Sequence, residues 1–269
     1  MVIRDGAFGI LIGAAVGTLF LVPAHGSAQD SLSVSCTDLD SASVLTRVRC
    51  TREAENQFRN GFRYDYGEGV PEDDAEAVRW YRLAAERGHV GAQYRLGRMY
   101  ANGEGVAEDD TEAVRWYRLA ADQGHAPAQM NLGVMYSRGD GVPEDDAEAA
   151  RWVRLAAEQG SAVAQSYLGN RYVIGDGVPK DDAEAVRWFR LAAEQVDAGG
   201  QHMLGFSYAS GSGVPEDFVY AYMWFNLSGA QGHGSAQREK DIIEQRMTRE
   251  QIAEAQRLSR EWIEMHPRQ

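Results

Sequence analysis

The sequence predicts an all-α protein, an α-solenoid of five 36-residue helix-turn-helix repeats with N- and C-terminal capping segments. Three observations predict it. Val70, Val106, Val142, Val178 and Val214 form one ladder at constant spacing. Trp80, Trp116, Trp152, Trp188 and Trp224 form a second, with no insertion in either. A fixed period of about 20 to 50 residues marks a solenoid, in which each repeat buries its apolar face on its neighbours. Inside each repeat the apolar spacing is helical twice, with a turn between the two stretches.

Residues 1–28 read as a signal peptide. Arg4 precedes an apolar run over residues 7–22, and Gly26 and Ala28 suit the small-residue places of a signal-peptidase site. The run is short against the roughly 20 apolar residues of a spanning helix. Cleavage near Ala28, no stable membrane insertion afterwards and a periplasmic or secreted mature chain are the expectation; an uncleaved anchor is the lesser reading. Residues 29–53 form an N-terminal cap that carries the two cysteines, Cys36 and Cys50. In an exported protein a disulfide between them is the default, contributing about 3 kcal/mol locally. Two free, buried thiols are the alternative, and no His lies near enough in sequence to support a metal site.

The repeats occupy residues 54–89, 90–125, 126–161, 162–197 and 198–233. In the third, Ala128, Leu132, Gly133 and Tyr136 share one face of a first helix, which stops at Gly139. Asp145 opens the second helix, with Glu148 three residues on as an acidic capping box; Asp73/Glu76, Asp109/Glu112 and Asp181/Glu184 repeat it. Ala149, Trp152, Val153, Ala156 and Ala157 face inward, and Gly160 ends the helix. The Trp is expected to fill the space between layers, and truncating it to Ala to cost roughly 3–5 kcal/mol.

Ala-x3-Leu-Gly-x2-Tyr-x2-Gly-x-Gly-Val-x2-Asp-x2-Glu-Ala-x2-Trp-x3-Ala-Ala-x-x-Gly, as it stands here, resembles the Sel-1-like repeat (SLR), a relative of the tetratricopeptide repeat. The resemblance covers about residues 54–233, and the stretch 221–232 with Met247-Thr248 and residues 255–258 resembles the usual ending of bacterial members. It implies a right-handed superhelix that scaffolds other proteins, with the first helices lining a concave groove. It names no partner.

The fourth junction departs from the pattern. Val196 stands where other repeats have Gly88, Gly124, Gly160 and Gly232, and Gly200 replaces the Ala of Ala92, Ala128 and Ala164. A β-branched residue is costly in a left-handed cap, so the helix is expected to end differently there, as a bend, a contact site or drift without function. The fifth repeat exchanges the acidic cap for Asp217-Phe218-Val219-Tyr220. Residues 234–269 then form capping helices, the last near residues 249–265, with a capping box from Thr248 and Gln251.

The net charge is −13, which argues against nucleic acid as a partner. Much of it recurs at the starts of second helices, where acids cap and favour the N-terminal dipole; no repeat offers the ligand spacing of a calcium loop. Cofactors and metals are not expected. The cysteine-rich relatives within the family are associated with β-lactam and peptidoglycan chemistry, so a hydrolase or binder of that type is the alternative reading. This chain lacks the Ser-x-x-Lys nucleophile motif and a cysteine pair per repeat. His89, His125 and His233 share one turn position and read as solvated.

A non-enzymatic scaffold is therefore the favoured reading. On the first helices the side away from the core varies freely between repeats, and Tyr94, Arg95, Arg98, Met130, Val134, Arg138, Tyr167 and Phe206 are its candidate partner-binding residues. Aromatic, Met and Arg side chains on a face the fold does not require suit a peptide or protein. The two arginines point to an acidic or amphipathic partner. Nothing in the sequence decides the oligomeric state.

Overall fold

The computed structural model describes residues 44–267. The signal segment and Cys36 lie outside the described residues. Among the described residues there are twelve helices and no strand: α1 Val44–Tyr66, α2 Asp74–Glu86, α3 Val90–Asn102, α4 Asp110–Asp122, α5 Ala126–Arg138, α6 Asp146–Glu158, α7 Ala162–Ile174, α8 Asp182–Glu194, α9 Ala198–Ser210, α10 Phe218–Gly229, α11 Gly234–Glu244 and α12 Arg249–Met265. From α1 to α10 each helix packs on the next in the chain, and α11 and α12 both close on α10. This is an α-solenoid. α1 runs unbroken through residues 53 and 54, so the N-terminal cap and the first repeat share one helix. Cys50 is buried on it, and among the described residues no cysteine is free.

The core is made of small residues met by one large one. Gly61, Gly97, Gly133, Gly169 and Gly205 of the first helices lie under Tyr81, Tyr117, Val153, Phe189 and Phe225. The space-filling residue is thus the one after each Trp. Trp116 and Trp152 are buried and Trp80 and Trp188 half-buried, at the edge of this packing.

Each second helix is capped as read, by one half of the box only. Asp73, Asp109, Asp145 and Asp181 accept from the backbone N–H three residues on, at 2.9–3.0 Å. Their own N–H groups donate to Tyr64, Tyr100, Tyr136 and Tyr172 carbonyls instead. That leaves Glu76, Glu112, Glu148 and Glu184 to pair with the Arg three residues on. In the fifth repeat Asp217 still caps, accepting from Val219 and Tyr220. The expected box at Thr248 and Gln251 is formed at both ends.

Two contacts tie successive repeats together. In the Gly-x-Gly turn the second glycine, Gly105, Gly141, Gly177 or Gly213, lies against the backbone that opens the preceding second helix, at Asp74, Asp110, Asp146 or Asp182. A Cβ there would overlap a carbonyl. Gly69 of the first repeat has no such neighbour; a Cβ would meet only Arg63, at 3.7 Å. The second contact is a rung of buried amides. Gln93, Gln129, Gln165 and Gln201 donate to carbonyls of the preceding second helix and accept from Gln123, Gln159, Gln195 and Gln231 at 2.7–2.8 Å. Each satisfies a polar group that would otherwise be buried without a partner.

The fourth junction corrects the sequence reading. Val196 adopts φ +63, the same left-handed conformation as Gly160 at +92, so the helix ends as the others do. The strain of a β-branched residue there is offset by contact: Val196 shares a wall with Leu227, Trp262 and Ile263 under the C-terminal helix. Next to it, Gly200 lets α9 lie close on α8, where a Cβ would stand 2.6 Å from that of Ala192, and Ser166 donates to Asp197 at 2.5 Å.

Candidate functional site

The proposed binding face divides into parts that the fold uses and parts that it leaves open. Position 94 and its equivalents belong largely to the first class. Phe58 stacks on His89 at 4.4 Å, Tyr94 lies over His125 at 4.7 Å, and His202 stacks on His233 at 4.3 Å. Met130 packs against the same buried cluster as Val153 and Leu168. These side chains cover the joint between repeats, which corrects the view that the fold does not require them.

The histidines beneath them are helix N-caps rather than solvated turn residues. His89 and His125 accept from the N–H of Ala92 and Ala128 at 3.1 and 3.3 Å, both half-buried. Burial lowers the pKa of His125, which keeps the imidazole neutral and able to accept. His233 holds the same position with no side-chain cap bond; burial first, then His202, lower its pKa.

Arg95 and Arg98 converge on a residue that repetition did not flag. Asp65, with only 7% of its side chain exposed, accepts from the Tyr81 hydroxyl at 2.9 Å. Arg95 lies 3.5 Å from that carboxylate, donates to the Tyr66 hydroxyl at 2.5 Å and covers the Phe62 and Tyr66 rings. Arg98 pairs with Glu104 at 3.2 Å and stands 4.0 Å from Asp65. Burial, and then the bond to Asp65, push the Tyr81 hydroxyl well above the usual phenol range. Both arginines thus have carboxylate partners inside the chain.

Tyr167 is held by Ser137 and by Arg171, each at 3.2 Å. Arg171 does not stand out in the sequence, because its position holds Arg63, Met99, Met135 and Ser207 in the other repeats and keeps no single character. It is buried and bridges Asp146, at 2.8 Å, to Asp176. Val134 and Arg138 come together on an open groove of about 260 Å³ between α3 and α5, with Asn102, Asn131, Asp110 and Asp140. Phe206 is half exposed on α9. Among the described residues no group of three or more His, Cys, Asp or Glu could hold a metal ion, and no helix is long and apolar enough to cross a membrane.

Stacked two-helix repeats joined by an amide rung and a glycine joint make this an α-solenoid repeat protein. The Sel1 repeat model matches residues 57–89, 90–125, 126–161, 162–197 and 198–233, and the chain belongs to the Sel1 repeat family. It is similar to c5321, a protective antigen present in uropathogenic Escherichia coli strains, at 38% identity and TM-score 0.70 over 80% of this chain and 48% of that one. The chain therefore spans about half the length of that protein. A Sel1 repeat protein from Oxalobacter formigenes is 34% identical, with TM-score 0.69, over 81% of this chain and 87% of that one. No curated protein matches the chain. Sel1 repeat proteins are generally scaffolds for protein interaction, and their fold is typically non-enzymatic.

Proposed function

We propose that this chain is an exported scaffold of the cell envelope that binds a peptide or protein segment on its first-helix face. The observation that carries this reading is the groove between α3 and α5. Val134, Asn131, Asn102 and Arg138 line it, and they change from repeat to repeat while Gly133 beside them is the same in all five and Leu132 in the last four. Polar side chains around a small apolar floor suit one segment of a partner better than a small metabolite. The disulfide between Cys36 and Cys50 belongs to the same proposal, as a tether for the N-terminal cap.

The alternative of β-lactam chemistry gains no supporting observation. Lys180 faces Asp182 at 3.9 Å, and Lys240 lies over the Tyr222 ring beside Asn226.

A photo-crosslinking side chain at Val134 should capture a discrete partner in envelope extract. The same group at Leu119, exposed on the second helix α4, should not. Capture from Leu119 and not from Val134 would place binding on the other face.

A further inference from the structure

Three successive junctions place an acidic pair at the same spot on the first-helix face. One member opens a second helix, and the other stands between the two turn glycines of the next repeat. The pairs are Asp74 with Glu104, Asp110 with Asp140, and Asp146 with Asp176.

The chain supplies a cation to two of them. At Asp146 and Asp176 it is Arg171, whose Nη1 donates to both carboxylates and whose Nη2 donates to the Tyr167 hydroxyl. The Arg171 side chain is only 4% exposed. Burial works against its charge, but the bonds to Asp146 and Tyr167 outweigh that and hold the proton more tightly than usual. At the first junction Glu104 takes Arg98.

The middle pair receives none. Met135 occupies Arg171's place and Asn131 occupies Tyr167's, while Asp110 and Asp140 face the groove described above. Arg138 stands at the rim, exposed, and among the described residues forms no ion pair. From this internal comparison we infer that the groove takes an arginine side chain from a partner polypeptide, its guanidinium seated between Asp110 and Asp140. Val134 and Tyr117 would flank the aliphatic stem, and a fork of donors matches two carboxylates. The partner segment is then basic, the reverse of the acidic one that Arg95 and Arg98 suggested, and it suits a chain of net charge −13. This inference rests on the first-helix face being the binding face.

The test is an NMR titration of the intact chain with the pentapeptide Ac-Ala-Ala-Arg-Ala-Ala-amide, beside the same peptide carrying citrulline or glutamate at the centre. Amides of Asn131, Val134 and Asp140 should shift, with affinity about tenfold or more above that of the uncharged citrulline peptide, since charge-assisted bonds are the stronger kind. The double variant Asp110→Asn/Asp140→Asn should lose the response. Met135→Arg should supply the cation from within, fold as the parent does and also lose the response. Combining Met135→Arg with the double variant should lower Tm, because the buried guanidinium then has no counter-charge. Silent amides, an equal response to citrulline, or a Met135→Arg variant that still binds would each overturn the inference. A preference for the glutamate peptide at the same amides would overturn it too, while leaving the binding face in place. If no peptide moves those amides and the Val134 crosslink still forms, the inference fails and the scaffold reading stands.

Discussion

The junction between repeats three and four and the junction between repeats four and five share a backbone and differ in side chains. In the first, Gly160 takes the left-handed position, Ala164 is buried and Arg171 locks two carboxylates. In the second, Val196 takes that position, Gly200 stands for the alanine and Ser207 stands where Arg171 would be. Yet the amide rung and the glycine joint are present in both. The difference teaches that a few periodic contacts hold the register, which leaves the remaining positions free for local tasks. One junction spends that freedom on an internal ion bridge, the other on seating the C-terminal helix.

The largest loss of stability is expected at the joint itself. Gly177→Ala and Gly213→Ala should each destabilise by about 3 kcal/mol in urea unfolding, combining left-handed strain with overlap against the backbone at Asp146 or Asp182. Gly160→Ala carries the strain alone, with nothing within 4 Å of the new methyl, and should cost about 1 kcal/mol. Equal losses at Gly160 and Gly177 would remove the joint from the account.

Arg171→Met imitates Met135 and should cost about 2 kcal/mol. That is less than a fully buried pair would lose, because Asp146 and Asp176 keep about a third of their side-chain surface in water. Burial, and then Asp146, hold the Asp176 carboxyl above the usual range, whereas the bond from Arg171 holds the Asp146 carboxyl below it. Its contribution to stability is therefore complete above the unfolded value of about 3.9 and lost as pH falls through the folded one. Unfolding curves taken through that acid range should be flatter in the Met variant than in the parent.

At Val196 strain and packing oppose each other. Val196→Ala should lose part of its packing on the buried cluster that contains Leu227 and Trp262 and keep most of the strain, costing about 1 kcal/mol. Val196→Gly relieves the strain as it loses the contact, so overall stability should stay within about 0.5 kcal/mol of the parent. Hydrogen exchange in α12 should nevertheless quicken in both.

The smallest effect is a pH response beyond that junction. His233 is held below its ordinary value by burial and by His202, while Glu239 and Asp197 pull the other way. The folded state thus takes up the proton less readily than the unfolded chain. Stability should be level above pH 6.5 and fall as pH drops from there to the folded value. Exchange in α11, whose first residue follows His233, reports this, and His233→Gln should flatten the profile.

The repeat made nearly all helices legible, because a core position copied five times declares itself. The same copying hid other things. Gln93, Gln129, Gln165 and Gln201 recur as faithfully as the alanines beside them, and a polar residue at constant register next to a buried one was the available sign of an amide rung. Asp65 and Arg171 left no such sign: Asp65 stands where the other repeats place uncharged residues, Arg171 where they place Arg63, Met99, Met135 and Ser207, and only the folded chain shows what each pairs with. Val196 misled for a physical reason. The cost of its backbone was read correctly, and the apolar wall that offsets it comes from residues 31 to 67 positions further along.

The glycine joint also bears on how such a chain can change over generations. Gly177 meets the start of α6, and the start of α4 presents the same aspartate and backbone to Gly141. Either glycine would fit either helix. Excising residues 126–161 would bring Gly177 onto Asp110, leaving a stack shorter by one layer with no loose joint. A single in-frame recombination between copies can thus alter the reach of this protein, or bring two recognition grooves side by side, without inventing a new contact.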